Sequence, residues 1–230
     1  MEAAGTARKV PQQERSRKSE LKLLAAAEDV LAERGAGDFS LADVAARAGV
    51  TTGTIYSRFK GKGELVHAVH ERVMDRMGAH AARLFAASDG PDGDPSGITH
   101  GGSFTGTHMT ADPKPLISDL IVRLASVLET EAAVLRALMF HAVEDKSIAR
   151  RGADAHRNLE ALFDDALRRL QPVVPEFPAA QRYWAFTFSY DVLARHLGLG
   201  HSSARTEQDN WDEMLRNLST MVSAYLLSCR

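Results

Sequence analysis

The sequence predicts an all-α protein of about nine helices, with a three-helix helix-turn-helix head at the amino end and a larger helical domain after it. Three observations predict this fold. Apolar residues recur at helical spacing through most of the 230 residues. No segment of useful length shows the apolar–polar alternation of a strand, and two short helical patterns are joined by a turn that contains Gly49.

Composition and charge exclude several classes of protein. The 28 basic and 30 acidic side chains give a formal charge of -2, which is not the balance of a wholly basic nucleic-acid coat. The single cysteine, Cys229, excludes an internal disulfide framework and a zinc site built from several cysteines. The chain shows no apolar signal core and no apolar run long enough to span a bilayer, so we expect a cytoplasmic protein.

The first residues are basic. Residues 1–18 contain five Lys and Arg, Arg17 and Lys18 among them, against two Glu. They show no apolar periodicity and include Pro11, so we predict a flexible basic arm whose partner is a polyanion. The alternative is a solvated tail without a partner.

Residues 19–66 carry the pattern of a compact head. Leu24, Ala27 and Leu31 recur at helical spacing, and Gly35 stops the first helix.

Two short helices follow in this head. Ser40 is placed to cap a helix over 41–48 that Gly49 ends, and Thr51 or Thr52 then caps the third helix. Two short helices joined by such a turn form a helix-turn-helix unit.

The remainder, 67–230, is predicted to be helical apart from one segment. Residues 88–115 hold 6 of the 17 glycines and 4 of the 8 prolines, with few large apolar side chains. Such a segment buries too little surface to offset its ordering entropy, so we predict a long flexible loop. Helices are expected at about 62–87, 116–129, 131–147, 150–171, 179–198 and 207–228.

Several features of the head stand together in register along the sequence. They are the pairs Leu23-Leu24 and Ala26-Ala27, Gly35, Ser40-Leu41, Val44-Ala45, Ala48-Gly49-Val50, Gly53-Thr54-Ile55-Tyr56, Phe59, Lys62 and Leu65. As a combined pattern they resemble the amino-terminal domain of the tetracycline-repressor (TetR) family of bacterial transcriptional regulators. The resemblance implies that residues 19–66 bind DNA and that the third helix enters the major groove.

Elementary chemistry favours phosphate contacts from the same segment. The threonines offer short hydroxyls near a helix N-terminus, where free amides attract anions. Tyr56 can direct its hydroxyl to a phosphate, or alternatively serve as a half-buried packing residue. The resemblance, in turn, implies that Thr52, Gly53, Thr54, Ser57 and Arg58 lie against base edges or nearby phosphates. Together, the residues expected at DNA are Arg17, Lys18, Ser40, Thr51, Thr52, Gly53, Thr54, Tyr56, Ser57, Arg58, Lys60 and Lys62.

Two residues depart from the family's pattern. Arg58 stands where a His or Tyr is common before the Phe, and an Arg can make two hydrogen bonds to guanine, which would alter the operator. Gly63 stands where an acidic residue or a good helix former is usual, so the start of the fourth helix is expected to be looser.

By the same resemblance, the last two helices form a four-helix bundle with those of a second copy. A homodimer suits a palindromic operator. The alternative is that these apolar stripes pack only within one chain. The expected interface residues are Trp184, Phe188, Val192, Trp211, Leu215, Leu218, Val222 and Leu226.

An effector site is expected among the fourth to eighth helices. Met and aromatic side chains would give an adaptable apolar wall, and a few polar residues would orient the ligand. The alternative for each of them is ordinary core. The expected residues are Met77, Leu84, Phe85, Leu120, Met139, Phe140, His141, Glu144, Leu162, Phe163, Tyr183, Phe186 and Tyr190.

Other chemistry has little support in the sequence. We find no nucleophile elbow, P-loop or dinucleotide-binding motif, and we expect no cofactor and no enzymatic activity. His67 and His70 lie three residues apart, which allows a metal face, with a solvated helix side as the alternative.

The sequence therefore predicts a sequence-specific DNA-binding transcriptional regulator, a repressor that a small, largely apolar effector releases from a palindromic operator. The fourth helix is the expected lever, and activation rather than repression remains open. The alternative is a helical small-molecule-binding protein or enzyme whose helix-turn-helix no longer functions.

Overall fold

A computed structural model describes residues 9–86, 112–143, 145–170, 176–199 and 210–228, apart from the side chains of residues 9–13. These ranges contain eight helices and no strand, which confirms the predicted all-α class. The helices are α1 Lys9–Arg34, α2 Leu41–Ala48, α3 Thr52–Tyr56, α4 Lys62–Ala86, α5 Lys114–Ala142, α6 Lys146–Arg169, α7 Ala179–His196 and α8 Trp211–Ser228.

The first helix begins earlier than expected. It starts at Lys9 rather than at Ser19, so part of the expected flexible arm is helical. Pro11 lies in the first turn, where a residue without an N–H removes no helical hydrogen bond. One turn further on, the ammonium of Lys18 lies 3.3 Å from the carboxylate of Glu14, an i,i+4 pair that supports the helix.

Two predicted helices prove to be one. The segment from Lys114 to Ala142 is continuous, whereas separate helices were expected on either side of Thr130. The Oγ1 of Thr130 donates to the carbonyl of Ser126 over 2.7 Å, so the hydroxyl does not compete with the helical backbone. No Gly or Pro stands at this junction to end a helix. The described residues therefore contain eight helices, close to the predicted number of about nine.

The chain divides into two compact units. The first comprises Met1–Asp75 and Glu131–Gly152, and the second comprises Arg76–Thr130 and Ala153–Arg230. The predicted arm, DNA-binding domain and effector domain, with boundaries at residues 18 and 66, stay a prediction.

Most of the predicted loop at 88–115 lies outside the described residues, as does Cys229.

The head of the first unit has an apolar core contributed by α1, α2 and α3. Ala27, Leu31, Val44 and Ile55 are fully buried there. Ala48 is also buried, and its small side chain lets neighbouring helices approach closely. Burying a branched apolar side chain stabilises a fold by about 1.5–3 kcal/mol, so this core makes the head a rigid platform for its exposed face.

The second unit has an aromatic core. Phe85, Phe163 and Phe186 are fully buried. The rings of Phe85 and Phe163 lie 6.2 Å apart in an edge-on arrangement, and those of Phe163 and Phe186 lie 5.7 Å apart. Aromatic pairs at this spacing add to the stabilisation that comes from burial alone.

Helices α7 and α8 pack as an antiparallel pair in the second unit. The amide of Gln181, near the start of α7, donates to the carbonyls of Tyr225 and Leu226 over 2.9 and 3.2 Å. Ser189 and Ser223 are buried along these helices, and their small side chains suit close packing.

Candidate nucleic-acid interface

The turn between α2 and α3 is fixed by caps on both sides. The Oγ of Ser40 accepts the N–H of Asp43 over 3.2 Å, Gly49 ends α2 at a φ of 66°, and Thr51 caps α3. The N–H groups of Gly49 and Val50 donate to the last carbonyls of α2. The predicted caps are confirmed. Because the hydroxyl of Ser40 is engaged in its cap, its expected contact with DNA stays a prediction.

Helix α3 presents a face of short polar side chains. Thr52, Gly53 and Ser57 are exposed. The Oγ1 of Thr51 accepts the N–H of Thr54 over 3.3 Å, and the hydroxyl of Ser57 donates to the carbonyl of Thr54 over 2.8 Å. The hydroxyls are held close to the backbone, so a flat partner could approach this face closely.

Tyr56 projects from α3 into solvent. Its side chain is 60% exposed, whereas Ile55 and Phe59 on either side of it are buried in the head. Successive residues of a helix point about 100° apart, which accounts for the change of environment. The exposure counts against a packing role for Tyr56 and makes the side chain accessible to a partner.

Arg58 lies just beyond α3 and turns toward α1. Its Nη1 donates to the Oγ of Ser16 over 3.4 Å and lies 3.8 Å from Oε2 of Glu20. The side chain of Arg58 is 24% exposed. Sequence reasoning identified Arg58 but not its two partners on α1.

The remaining predicted cations have different surroundings. Arg17, Lys18 and Lys60 are exposed. The ammonium of Lys62 lies 5.3 Å from the centre of the Phe39 ring, a cation–π contact that holds it against the head.

Lys22 is a cation at the turn that sequence reasoning missed. It is exposed on α1, and its Nζ lies 3.9 Å from the point that a Cβ on Gly49 would occupy. Lys18 and Lys22 are four residues apart on one helix and therefore share a face, which is the signal that could have identified it.

One cation of the head is neutralised by a partner. Arg47 on α2 makes two hydrogen bonds of 2.9 and 2.5 Å to the carboxylate of Glu33 on α1. These hydrogen bonds lower the pKa of Glu33 and raise the pKa of Arg47, so both groups stay charged. Arg47 is therefore a poor candidate for a phosphate contact.

A separate apolar face occurs on α7 and α8. Trp184, Phe188, Met221 and Tyr225 are exposed there and line a groove of about 420 Å³. Sequence reasoning identified the first two for a dimer interface and missed the last two.

The other predicted interface residues are less exposed. Leu218, Val222 and Leu226 are buried within the chain, as the alternative supposed. Val192, Trp211 and Leu215 are half-buried. Their contact with a second copy of the chain stays a prediction.

The aromatic part of the predicted effector site is brought together in the second unit. The ring of Tyr190 lies 5.7 Å from that of Phe186 and 4.3 Å from the imidazole of His156. Burial raises the pKa of Tyr190, so its phenol stays protonated. His156 is a further member of this cluster that sequence reasoning missed.

The other predicted effector residues are scattered in their exposure. Leu120 and Met77 are buried, Leu84 and Leu162 are half-buried, and Tyr183 is exposed. Three other predicted effector residues belong to the first unit. Met139 and Phe140 are exposed there, and His141 is half-buried. Glu144 lies outside the described residues.

Two histidines of α4 interact with the protein itself. The Nε2 of His67 donates to Oδ2 of Asp145 over 2.7 Å, and His70 is buried, which lowers its pKa. Among the described residues, no cluster of three or more His, Cys, Asp or Glu is arranged to hold a metal ion.

No helix in the described ranges is long and apolar enough to cross a membrane.

Comparison with known proteins points to one family. Residues 23–69 match the family model described as bacterial regulatory proteins, tetR family. This match covers the helix-turn-helix and the start of α4. No curated protein matches the chain by sequence.

Solved structures share the fold over nearly the whole chain. A transcriptional regulator from Rhodococcus sp. Rha1 aligns with a TM-score of 0.61 and 19% identity over 90% of this chain and 95% of its own. GusR from Salmonella enterica aligns with a TM-score of 0.56 and 18% identity over 92% and 96%. The FadR regulator from Bacillus halodurans aligns with a TM-score of 0.53 and 16% identity over 89% and 97%.

Proposed function

We propose that this chain is a sequence-specific DNA-binding transcriptional regulator of the tetR family, because residues 23–69 match the model of that family of bacterial regulatory proteins. The observation that carries the proposal is the face of α3. It exposes Tyr56 and short polar residues, while Ile55 and Phe59 anchor it in a buried core. A rigid helix with an exposed polar face suits the major groove.

The exposed residues divide into two kinds of contact. Tyr56, Lys60 and Lys62 are proposed to bind phosphates, which fixes the position of the head. Thr52 and Arg58 are proposed to reach base edges. Lys22 adds a positive charge beside the turn and belongs with the phosphate contacts.

Two copies are proposed to read a palindrome. Half-sites one helical turn apart require two recognition helices about 34–36 Å apart, which a twofold dimer supplies. The exposed apolar face of Trp184, Phe188, Met221 and Tyr225 supports such a dimer, because a contiguous apolar patch is costly in water.

Regulation is proposed to run through the second unit. The cluster around Phe186, Tyr190 and His156 is apolar with two polar groups, so the effector is proposed to be apolar with one polar handle. An effector that binds a state unable to read the operator releases the DNA, which makes the protein a repressor. The proposed lever is α4, a continuous helix with residues in both units.

The protein would act in the cytoplasm and without catalysis.

The test is selection of duplexes from a random pool, followed by fluorescence polarisation on the selected operator at several salt concentrations. We expect a palindrome and a salt-dependent affinity. Lys62→Ala should weaken binding and reduce the magnitude of the salt slope by about 0.9, the contribution of one phosphate contact.

Two further variants sharpen the test. Tyr56→Phe should weaken binding if the hydroxyl meets a phosphate. Lys114→Ala removes an exposed cation from the second unit and should leave operator affinity unchanged. Absence of any selected sequence at moderate salt contradicts the proposed function, and turnover of a small molecule would support the enzymatic alternative.

A further inference from the structure

Arg58 is held at one end of its guanidinium. Both of its side-chain contacts, to Ser16 over 3.4 Å and to Glu20 over 3.8 Å, involve the same nitrogen, Nη1. Within the part of the chain that the structure describes, Nε and Nη2 have no partner. The guanidinium thus contacts α1 through Nη1, and its Nε–Nη2 edge has no contact among the described residues.

That open edge has the geometry of base recognition. Two parallel N–H groups on one planar fork match the O6 and N7 acceptors of guanine in the major groove. An arginine side chain is long and has many rotamers, so a fork that is already oriented loses less freedom when it binds.

We propose that Glu20 is a positioning residue for DNA recognition: with Ser16, it holds Nη1 of Arg58 so that the Nε–Nη2 edge reads a guanine. The inference rests on the proposed DNA-binding function and deepens it. Glu20 itself need not touch DNA, because it acts through the side chain of Arg58.

A purely stabilising role for the pair is a weak alternative. The side chains of Glu20 and Arg58 are 51% and 24% exposed, and exposed ion pairs contribute little to folding. Removing Glu20 should therefore leave the fold intact, which makes its effect on recognition measurable.

The experiment uses the full chain and duplexes selected by the wild-type protein. Selection is repeated with Arg58→Ala to find the base pair at which discrimination is relaxed. Affinity is then measured for the operator and for a duplex changed at that base pair, with the wild type, Glu20→Ala and Glu20→Gln. Circular dichroism melting confirms that each variant is folded.

Glu20→Ala should reduce discrimination at that base pair by about five- to tenfold, a part of what a bidentate contact supplies. Glu20→Gln should retain more of it, because its amide oxygen keeps a hydrogen-bond acceptor of the same reach beside Nη1, which lies 3.8 Å from the Glu20 carboxylate in the wild type. Both variants remove the same negative charge, so a general electrostatic effect would change them equally and would not depend on the base pair.

Glu33→Ala is the matched control. It removes a carboxylate from the same helix and breaks an ion pair with an arginine, Arg47 of α2, and it should leave discrimination unchanged. In an Arg58→Ala background, Glu20→Ala should also have no effect on discrimination, because the group that it positions is gone.

The outcomes separate the two proposals. A wild-type protein that selects no duplex overturns the proposed function and this inference together. If the wild type selects an operator but Arg58→Ala relaxes no position, or Glu20→Ala discriminates as the wild type does, only this inference is overturned. A uniform gain in affinity for both duplexes would show that Glu20 competes with DNA instead of positioning Arg58.

Discussion

Arg151 of α6 donates from Nε to Oε2 of Glu71 on α4 over 2.9 Å. The same guanidinium donates from Nη2 to Oδ1 of Asp75, one turn along α4, over 2.6 Å. The hydrogen bond to Glu71 raises the pKa of Arg151 further, so the guanidinium remains charged and spans two carboxylates. One side chain therefore ties the start of α6 to the helix that follows the helix-turn-helix.

Loss of the contacts of Arg151 with Glu71 and Asp75 should lower the stability of the fold. We expect Arg151→Ala to lower the free energy of unfolding by about 1 kcal/mol, since two exposed ion pairs are lost together. Urea unfolding followed by circular dichroism measures it. Arg157→Ala is the control, because among the described residues Arg157 pairs with Asp154 of its own helix and with no other helix. Equal losses in the two variants would contradict a special role for the α4–α6 tie.

The caps of the head could be predicted from the sequence because each is a local signal. Ser40, Gly49 and Thr51 act on backbone groups within a few residues of themselves, so their neighbours suffice to identify them. The start of α1 could not be predicted in this way. Pro11 is compatible with a break or with a first helical turn, and a proline by itself does not distinguish the two.

Contacts between distant helices could not be predicted. Arg58 and Ser16 are 42 residues apart, and no spacing rule joins them. Periodicity identified α8 as apolar on one side but could not say which residues pack within the chain. Leu218 and Val222 are buried, whereas Met221, next to Val222, is exposed.

Gly53 offers a test of close approach to DNA. Among the described residues, a Cβ at this position would meet the Oγ1 of Thr51 alone, at an ordinary 3.6 Å, so packing against them does not require glycine. We expect Gly53→Ala to fold at least as stably as the wild type, because Ala is favoured over Gly in a helix by up to about 1 kcal/mol. If the backbone lies against a phosphate, the added methyl should weaken operator binding by about 5- to 150-fold, the range of an overpacked contact.

The control for this prediction is Gly63→Ala. A Cβ there would meet no atom within 4 Å in the part of the chain that the structure describes, and Gly63 lies in the first turn of α4. Thermal melts and polarisation titrations should show unchanged affinity for Gly63→Ala. Wild-type affinity for Gly53→Ala would show that α3 does not approach the duplex closely at this point.

The apolar face of α7 and α8 predicts an effect of charge on oligomeric state. Trp184 and Met221 are both 57% exposed in the single chain, so a glutamate at either position is tolerated in a monomer. In a dimer interface the same carboxylate would be buried without a partner, at a cost of several kcal/mol. Trp184→Glu and Met221→Glu should therefore halve the mass measured by light scattering.

Val122→Glu tests whether any exposed apolar residue would give that result. Val122 is exposed on α5, outside this face, and its replacement should leave the mass unchanged. If Trp184→Glu and Met221→Glu retain the mass of the wild type, the proposed dimer does not use α7 and α8.

The carboxylate of Asp145 makes the stability of the start of α6 depend on pH in the acid range. Its Oδ1 accepts hydrogen bonds from the hydroxyl and the N–H of Ser147 over 2.7 and 2.9 Å, and its Oδ2 accepts one from His67 over 2.7 Å. These bonds, those from Ser147 first, hold the pKa of Asp145 well below its usual value of 3.8. A carboxyl with a lower pKa in the folded chain stabilises the fold above its unfolded pKa. That contribution is lost as the pH falls through the folded pKa.

Asp145→Asn should reveal this contribution. The amide oxygen can still cap α6, but the charge and its titration are gone. The wild type should therefore exceed Asp145→Asn in free energy of unfolding at about pH 5, and the difference should shrink as the pH falls below about 4. Urea unfolding at a series of pH values measures the difference, with Asp154→Asn on the outer side of the same helix as control. A difference that does not change with pH would show that the capping geometry of Asp145, rather than its charge, stabilises the start of α6.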